Sequence, residues 1–114
     1  MTPQKGEIWL INFDPTVGSE ISKKRPALVV SANSIGILPL RIVVPITSWQ
    51  EKFANNPWLV KIPHNHANGL SNDSVADTFQ VKSISNHRFI EKFGSISNSK
   101  MQEVLMGIRI CIGS

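Results

Sequence analysis

The sequence predicts a mainly β (α+β) fold, a small antiparallel barrel or strongly curled sheet with one C-terminal helix. Three observations carry that expectation. Short runs rich in Val, Ile, Phe and Trp alternate with Gly, Pro, Asn and Asp, the pattern of strands joined by turns. Apolar residues at helical spacing appear only near the end, from Met101 to Cys111. At 114 residues the chain reads as a single domain, 1–114, able to bury a core without metal or disulfide help.

Residues 6–13, centred on Ile8, Trp9, Leu10 and Ile11, form a first, largely buried strand, and residues 27–31 a second. Residues 33–39, with Gly36 and Pro39, make a turn or short link. Residues 41–46 are a third strand, in which Pro45, lacking an N–H, predicts an edge or a bulge. Thr47, Ser48 and Trp49 leave its C-terminal end. After a mixed stretch broken at Asn55, Asn56 and Pro57, residues 58–62 form a fourth strand, and residues 64–73 are loop throughout. Residues 74–81 read as a fifth strand with Val75, Asp77, Phe79 and Val81 on one face, and residues 87–93 as a sixth. Trp9 and Trp58, inside strands, are expected in the core. Ser99 is placed to cap the closing helix, with Gln102 in the capping-box position. Met101, Val104, Leu105, Ile108 and Cys111 are its core stripe. Met106 and Ile110 add a second apolar strip, which either sinks into a groove of the sheet or meets a second copy of the chain.

A net charge of +4 biases the chain moderately toward polyanionic partners. The lone Cys111, between Ile110 and Ile112, excludes an internal disulfide, fits a reducing cytoplasm and reads as a buried structural thiol. The N-terminal residues lack the apolar core of a signal peptide, and no apolar run is long enough to span a bilayer. The expectation is a cytoplasmic protein without a membrane partner.

The polar stretch between the first two strands carries the most chemistry. Asp14 with Pro15, and Gly18 with Ser19, are turn signals. Pro26 forces Arg25 into an extended backbone, which presents a guanidinium at the mouth of the second strand. Lys23 and Lys24 stand beside it, and Glu20 lies one loop-width away. Taken singly, such an Arg is a solvated charge, Thr47 an edge hydroxyl, and Glu20 a surface partner for the lysines. His64 and His66 share a loop without further ligands at useful spacing, so no metal site is expected there.

Four pieces raise the site above that baseline. They are Gly6-Glu7-Ile8-Trp9 leading into Asp14-Pro15-Thr16-Val17-Gly18-Ser19-Glu20; Arg25-Pro26-Ala27-Leu28-Val29-Val30-Ser31; Val44-Pro45-Ile46-Thr47-Ser48; and Gln80-Val81-Lys82-Ser83-Ile84. In this order, over residues 6–113, the chain resembles the MazF/PemK/Kid family of toxin endoribonucleases. The resemblance implies an SH3-like barrel assembled as a homodimer. It implies cleavage of single-stranded RNA, in particular messenger RNA, at short motifs without metal or other cofactor. It also implies neutralisation by a cognate antitoxin with an acidic, flexible segment. The family's catalytic arginine falls on Arg25, its catalytic threonine on Thr47 and its loop glutamate on Glu20. Many members carry an aspartate immediately before the fourth piece, and in some it has a proton-transfer role. Here Phe79 holds that position, and Asp77, the nearest carboxylate, can substitute only if a bulge turns it to the same face.

Cleavage of this kind uses the substrate's own 2′-hydroxyl and leaves a 2′,3′-cyclic phosphate and a 5′-hydroxyl. Arg25, a planar fork charged at any physiological pH, suits the phosphorane oxygens. Thr47, with Ser48, can hydrogen-bond a non-bridging oxygen or hold the 2′-hydroxyl in line. Glu20 either accepts the proton or orients Arg25. Lys23, Lys24, Lys82 and Arg88 are expected to rim the RNA groove, together with Asp77 and Gln80. Trp49 either stacks on a base or covers the end of the barrel. Two rival readings keep the fold and drop the cleavage. One is a CcdB-like gyrase poison, against which stand Arg25, Thr47 and a C-terminus without tryptophan. The other is a catalytically dead SH3-like RNA- or peptide-binding module, which Phe79 keeps open.

Overall fold

Ala27, Leu28, Val29 and Val30 are apolar at every position because the strand they build is covered on both faces. In a computed structural model, which describes residues 2–114, that strand lies near the middle of one seven-stranded antiparallel sheet. The strands are β1 (Glu7–Asn12), β2 (Lys24–Val29), β3 (Leu40–Ser48), β4 (Leu59–Ile62), β5 (Ser74–Asp77), β6 (Lys82–Ser85) and β7 (Phe89–Ser95), followed by helix α1 (Asn98–Ile112). Their order is β4-β5-β3-β2-β1-β7, with β6 also paired to β3. The alternation of a strand divides the core in two. Ile8, Leu28, Val30, Val44 and Ile46 pack with Val60, Ile62, Ala76 and the helix residues Met101 and Val104. On the other side Trp9, Ile11, Ala27, Val29 and Val43 pack with Phe13, Ile84 and Phe89.

The mainly β class stands, but the barrel is corrected to a curled, open sheet. Among the described residues β4 and β7, its two ends, do not pair. A loop stands against β7 in place of a strand: the Ser95 N–H donates to the Ala67 carbonyl at 3.0 Å. Pro45 sits neither at an edge nor in a bulge. Residues 40–43 of β3 pair with β6 and residues 46–48 with β5, and Pro45 falls where one neighbour hands over to the other. A central strand tolerates proline there because that side of the ladder is already interrupted.

The fifth strand ends at Asp77, four residues earlier than expected, because its carboxylate accepts the Phe79 N–H at 3.2 Å and opens a 3₁₀ turn, Thr78–Gln80. The expected sixth strand begins at Phe89 after the turn Asn86–Arg88, and β6 precedes it. Ser97, not Ser99, caps α1, its Oγ accepting the Lys100 N–H at 3.2 Å, so no capping box forms with Gln102. Met101 and Val104 are buried, whereas Met106 and Ile110 are 52% and 43% exposed, so the second strip is not sunk into the sheet. Trp9 is buried as expected; Trp58 is half-buried and precedes β4.

Candidate active site

Strands β2 and β3 run side by side with Ala27 opposite Pro45. Extending that register by two residues brings Arg25 level with Thr47 where β2 and β3 part, Arg25 staying paired with β1 and Thr47 with β5. Both line one cavity of about 200 Å³, together with Pro26, Ser48, Ser71 and Asn72. Arg25 is exposed, and its Nε donates to the Ser22 carbonyl at 3.4 Å. Among the described residues its guanidinium has no other hydrogen bond or ion pair, which leaves its outer nitrogens facing the cavity for an anion. Thr47 is half-buried and Ser48 exposed.

One wall of this cavity comes from residues 70–72, for which the sequence offered only loop chemistry. That loop is built around Asn68, almost wholly buried. Its Oδ1 accepts the Asn65 and Leu70 N–H groups at 3.1 and 3.0 Å, and its Nδ2 donates to the Pro63 carbonyl at 2.9 Å. Two glycines let it press against β7. A Cβ on Gly69, at φ +69°, would lie 2.1 Å from the Phe93 carbonyl oxygen, and one on Gly94 would lie 2.2 Å from that of Ala67. His64 closes the loop through Nδ1, 2.6 Å from Asp73 Oδ1, and this hydrogen bond holds the Asp73 carboxyl below its ordinary pKa. The sequence marks this segment as loop and residues 87–93 as a strand, but not that the two pack together.

The loop between β1 and β2 is fastened at several points. The Asp14 carboxylate accepts the Lys23 N–H at 2.9 Å, and the Phe13 N–H donates to the Lys23 carbonyl at 2.9 Å. Arg88, expected on the groove rim, instead staples this loop: its Nη1 donates to the carbonyls of Asn12 and Asp14 at 3.0 and 2.6 Å. Gln80 takes the Ile21 N–H on its Oε1 at 2.7 Å and donates from Nε2 to Asp77 Oδ2 at 3.0 Å, docking the loop onto the turn after β5. Glu20 differs from both expectations of its partner. Its Oε1 accepts the Val17 N–H at 2.9 Å and its Oε2 lies 3.6 Å from Lys82 Nζ, and it does not line the Arg25 cavity.

The expected residues thus fall into groups. Arg25, Thr47 and Ser48 share one cavity, with exposed Lys23 and Lys24 beside Arg25. Glu20, Asp77, Gln80 and Lys82 gather along neighbouring concavities around Phe79. Trp49 belongs to neither. Its ring packs edge-on against Phe53, lies under Lys61 Nζ at 5.1 Å and donates Nε1–H to Glu51 at 3.0 Å, beside a cleft along α1. Among the described residues no histidine or carboxylate lines the Arg25 cavity. Its own side chains can hold and neutralise a tetrahedral anion through a planar fork and hydroxyls.

The chain is similar to known proteins along nearly its whole length. The family described as PemK-like, MazF-like toxin of type II toxin-antitoxin system matches residues 4–112. The endoribonuclease MazF9 of Mycobacterium tuberculosis is 32% identical over 107 residues, covering 89% of this chain and 88% of that one. The endoribonuclease EndoA of Bacillus subtilis is 31% identical over 114 residues, covering 98% and 96%. Among solved structures, MazF (Form-I) of Deinococcus radiodurans superposes with a TM-score of 0.83 at 26% identity, covering 100% of this chain and 99% of that one. A MazE-MazF structure (Form-III) from the same organism gives 0.73 at 27% identity, covering 97% and 96%. With the order of its motifs, its sheet topology and this match in agreement, the chain belongs to the PemK-like, MazF-like family of type II toxin-antitoxin toxins.

Proposed function

We propose that this chain, read as one toxin domain, is an endoribonuclease that cuts single-stranded RNA, messenger RNA included, in the cytoplasm. The observation that carries the reading is that Arg25 and Thr47, from two different strands, open onto one cavity, the guanidinium having no partner among the described residues beyond the Ser22 carbonyl. In the reaction the O2′–P bond forms and the P–O5′ bond breaks. The 2′ proton passes to an acceptor and a proton is delivered to O5′, giving a 2′,3′-cyclic phosphate and a 5′-hydroxyl. Arg25 spans two phosphorane oxygens, and the Thr47 hydroxyl donates to one of them or fixes the 2′-hydroxyl in line. Lys23 and Lys24 hold flanking phosphates. Glu20 secures the loop and keeps Lys82 on the adjoining wall.

The same cationic rim suits a cognate antitoxin that lays an acidic, flexible segment across it. Homodimer formation has apolar surface available at Met106, Ile110 and Ile112 of α1. The test is incubation of the purified protein with RNA in excess chelator, with the 5′ ends of the products mapped. Cuts at short motifs with 5′-hydroxyl ends are expected, and Arg25→Ala should lower kcat by about 10²–10³-fold with its circular dichroism unchanged. RNA left intact at high protein concentration overturns the reading. A gyrase supercoiling assay, expected to show no inhibition, separates it from a gyrase poison.

A further inference from the structure

We infer that Phe79 and Trp58 form a platform on which one unpaired RNA base stacks, and that Asp77 and Glu20 at its edge select a base carrying an exocyclic amine. The inference rests on the ribonuclease reading above and adds a specificity subsite to it.

Phe79 is 64% exposed and is the only aromatic ring among the exposed large apolar side chains of the described residues. It is not loosely held. Its N–H is bound by Asp77 Oδ1, and the preceding residue, Thr78, donates both its N–H and its hydroxyl to the Trp58 carbonyl at 3.2 and 2.7 Å. Phe79 and Trp58 are thereby locked together, with ring centroids 6.1 Å apart and planes tilted by 55°. They flank a concavity of about 470 Å³ that Ser19, Glu20, Leu59, Asp77 and Gln80 complete. Preformed aromatic faces open to solvent bind unpaired bases, since every base has a π face.

The edge of the concavity is rich in acceptors. Asp77 spends one oxygen on the Phe79 N–H and the other on Gln80 Nε2, and Glu20 spends one on the Val17 N–H and holds the other 3.6 Å from Lys82 Nζ. A carboxylate has about four acceptor positions, so lone pairs remain on both. They match the amino groups of adenine, cytosine or guanine and repel the two carbonyls of uracil. Gln80 has its oxygen committed to Ile21 and so positions Asp77.

Strand β3 relates the platform to the Arg25 cavity. An adjoining concavity shares Glu20, Phe79 and Gln80 with it, carries Lys82 for a phosphate and reaches Pro45. Pro45 and Thr47, two residues apart on β3, face the same side at about 7 Å, roughly two stacked nucleotides of about 3.4 Å each. The base taken up belongs to a nucleotide near the scissile phosphate, not at it.

The test uses an oligoribonucleotide containing a mapped cleavage site, and the same oligonucleotide with 2′-deoxyribose at the scissile nucleotide, which cannot be cut. An abasic residue is stepped through the latter, and dissociation constants are measured for wild type, Phe79→Ala and Phe79→Trp. Wild type should lose affinity about 5- to 100-fold at one abasic position. Phe79→Ala should show that loss with the intact oligonucleotide and be insensitive to the abasic site, while Phe79→Trp behaves as wild type. With cleavable RNA, Phe79→Ala should raise KM far more than it lowers kcat, and wild type should disfavour uracil at that position. Equal affinities of wild type and Phe79→Ala at every position overturn the platform. So does a Phe79→Ala protein with unchanged cuts but an altered monomer–dimer equilibrium, which would make this surface a protein contact. Wild type that cuts no RNA overturns the ribonuclease reading instead, and the uncleavable oligonucleotide tells the two failures apart.

Discussion

Arg25 was legible because its neighbours constrain it: Pro26 fixes its backbone as extended, and the residues just before it, Ser22, Lys23 and Lys24, are polar and keep it at the surface. Thr47 carries no such local mark. Only the register of β2 on β3, with Ala27 opposite Pro45, shows that it ends level with Arg25. Glu20 was legible as a loop carboxylate, but its partner was not, because Lys82 arrives from β6, far along the chain. If the fork geometry of Arg25 matters more than its charge, Arg25→Lys is nearly as inactive as Arg25→Ala, since an ammonium cannot span two phosphorane oxygens. Thr47→Ser keeps the hydroxyl and should stay within about tenfold of wild type, whereas Thr47→Ala should lose about 10–10²-fold in kcat. Single-turnover cleavage rates check both, and an Arg25→Lys protein with near wild-type rate would reduce Arg25 to a general positive charge.

The elements that were misplaced failed for local reasons. Val75, Asp77, Phe79 and Val81 alternate as well as any strand, yet Asp77 captures the Phe79 N–H and the strand stops. Ser97 outcompetes Ser99 as the helix cap because either serine fits the pattern and only the approach of the chain decides. The loop of residues 64–73 was recognised as loop, but its service as a cavity wall depends on two backbones meeting at Gly69 and Gly94. Neither glycine reveals its opposite number. Gly94→Ala tests that seam. Its new Cβ would stand 2.2 Å from the Ala67 carbonyl oxygen and 2.7 Å from a backbone carbon of Asn68, so backbone must shift. A loss of about 1–3 kcal/mol is expected by thermal or denaturant unfolding. Because the displaced segment carries Ser71 and Asn72, the rate at temperatures where the variant is folded should fall as well. Wild-type stability in Gly94→Ala would show that the loop is not seated against β7.

Composition and pattern sufficed for the class of the whole molecule, since a chain with this many short β-branched runs has little else to become. They could not say whether the sheet closes, because closure depends on how β4 and β7 lie relative to each other and neither strand's sequence encodes its distance from the other. With the ends unpaired, β1 is the one strand among the described residues that pairs with β7, and Glu7 is one of the ties. Its Oε2 lies 2.9 Å from Lys92 Nζ on β7, and its Oε1 accepts the Gln4 N–H and the Trp9 indole N–H at 2.9 and 3.0 Å. Partial burial by itself would raise the Glu7 pKa. The hydrogen bonds from Lys92, Gln4 and Trp9 outweigh it and hold the carboxyl below its ordinary value of 4.5. The folded chain therefore takes up this proton less readily than the unfolded chain. The stability involved is complete above about pH 4.5 and is lost as the pH falls through the folded-state pKa. Glu7→Gln keeps an acceptor for the two N–H groups and removes the charge, so at neutral pH it should be less stable than wild type by about 1 kcal/mol. Denaturant unfolding of both proteins at several pH values from neutral to about 3 should show that gap closing on acidification. Asp73, whose carboxyl is also lowered by its hydrogen bond to His64, contributes equally to both proteins and cancels in the difference. A gap that stays constant across the acid range would mean that Glu7 acts through its shape and not its charge.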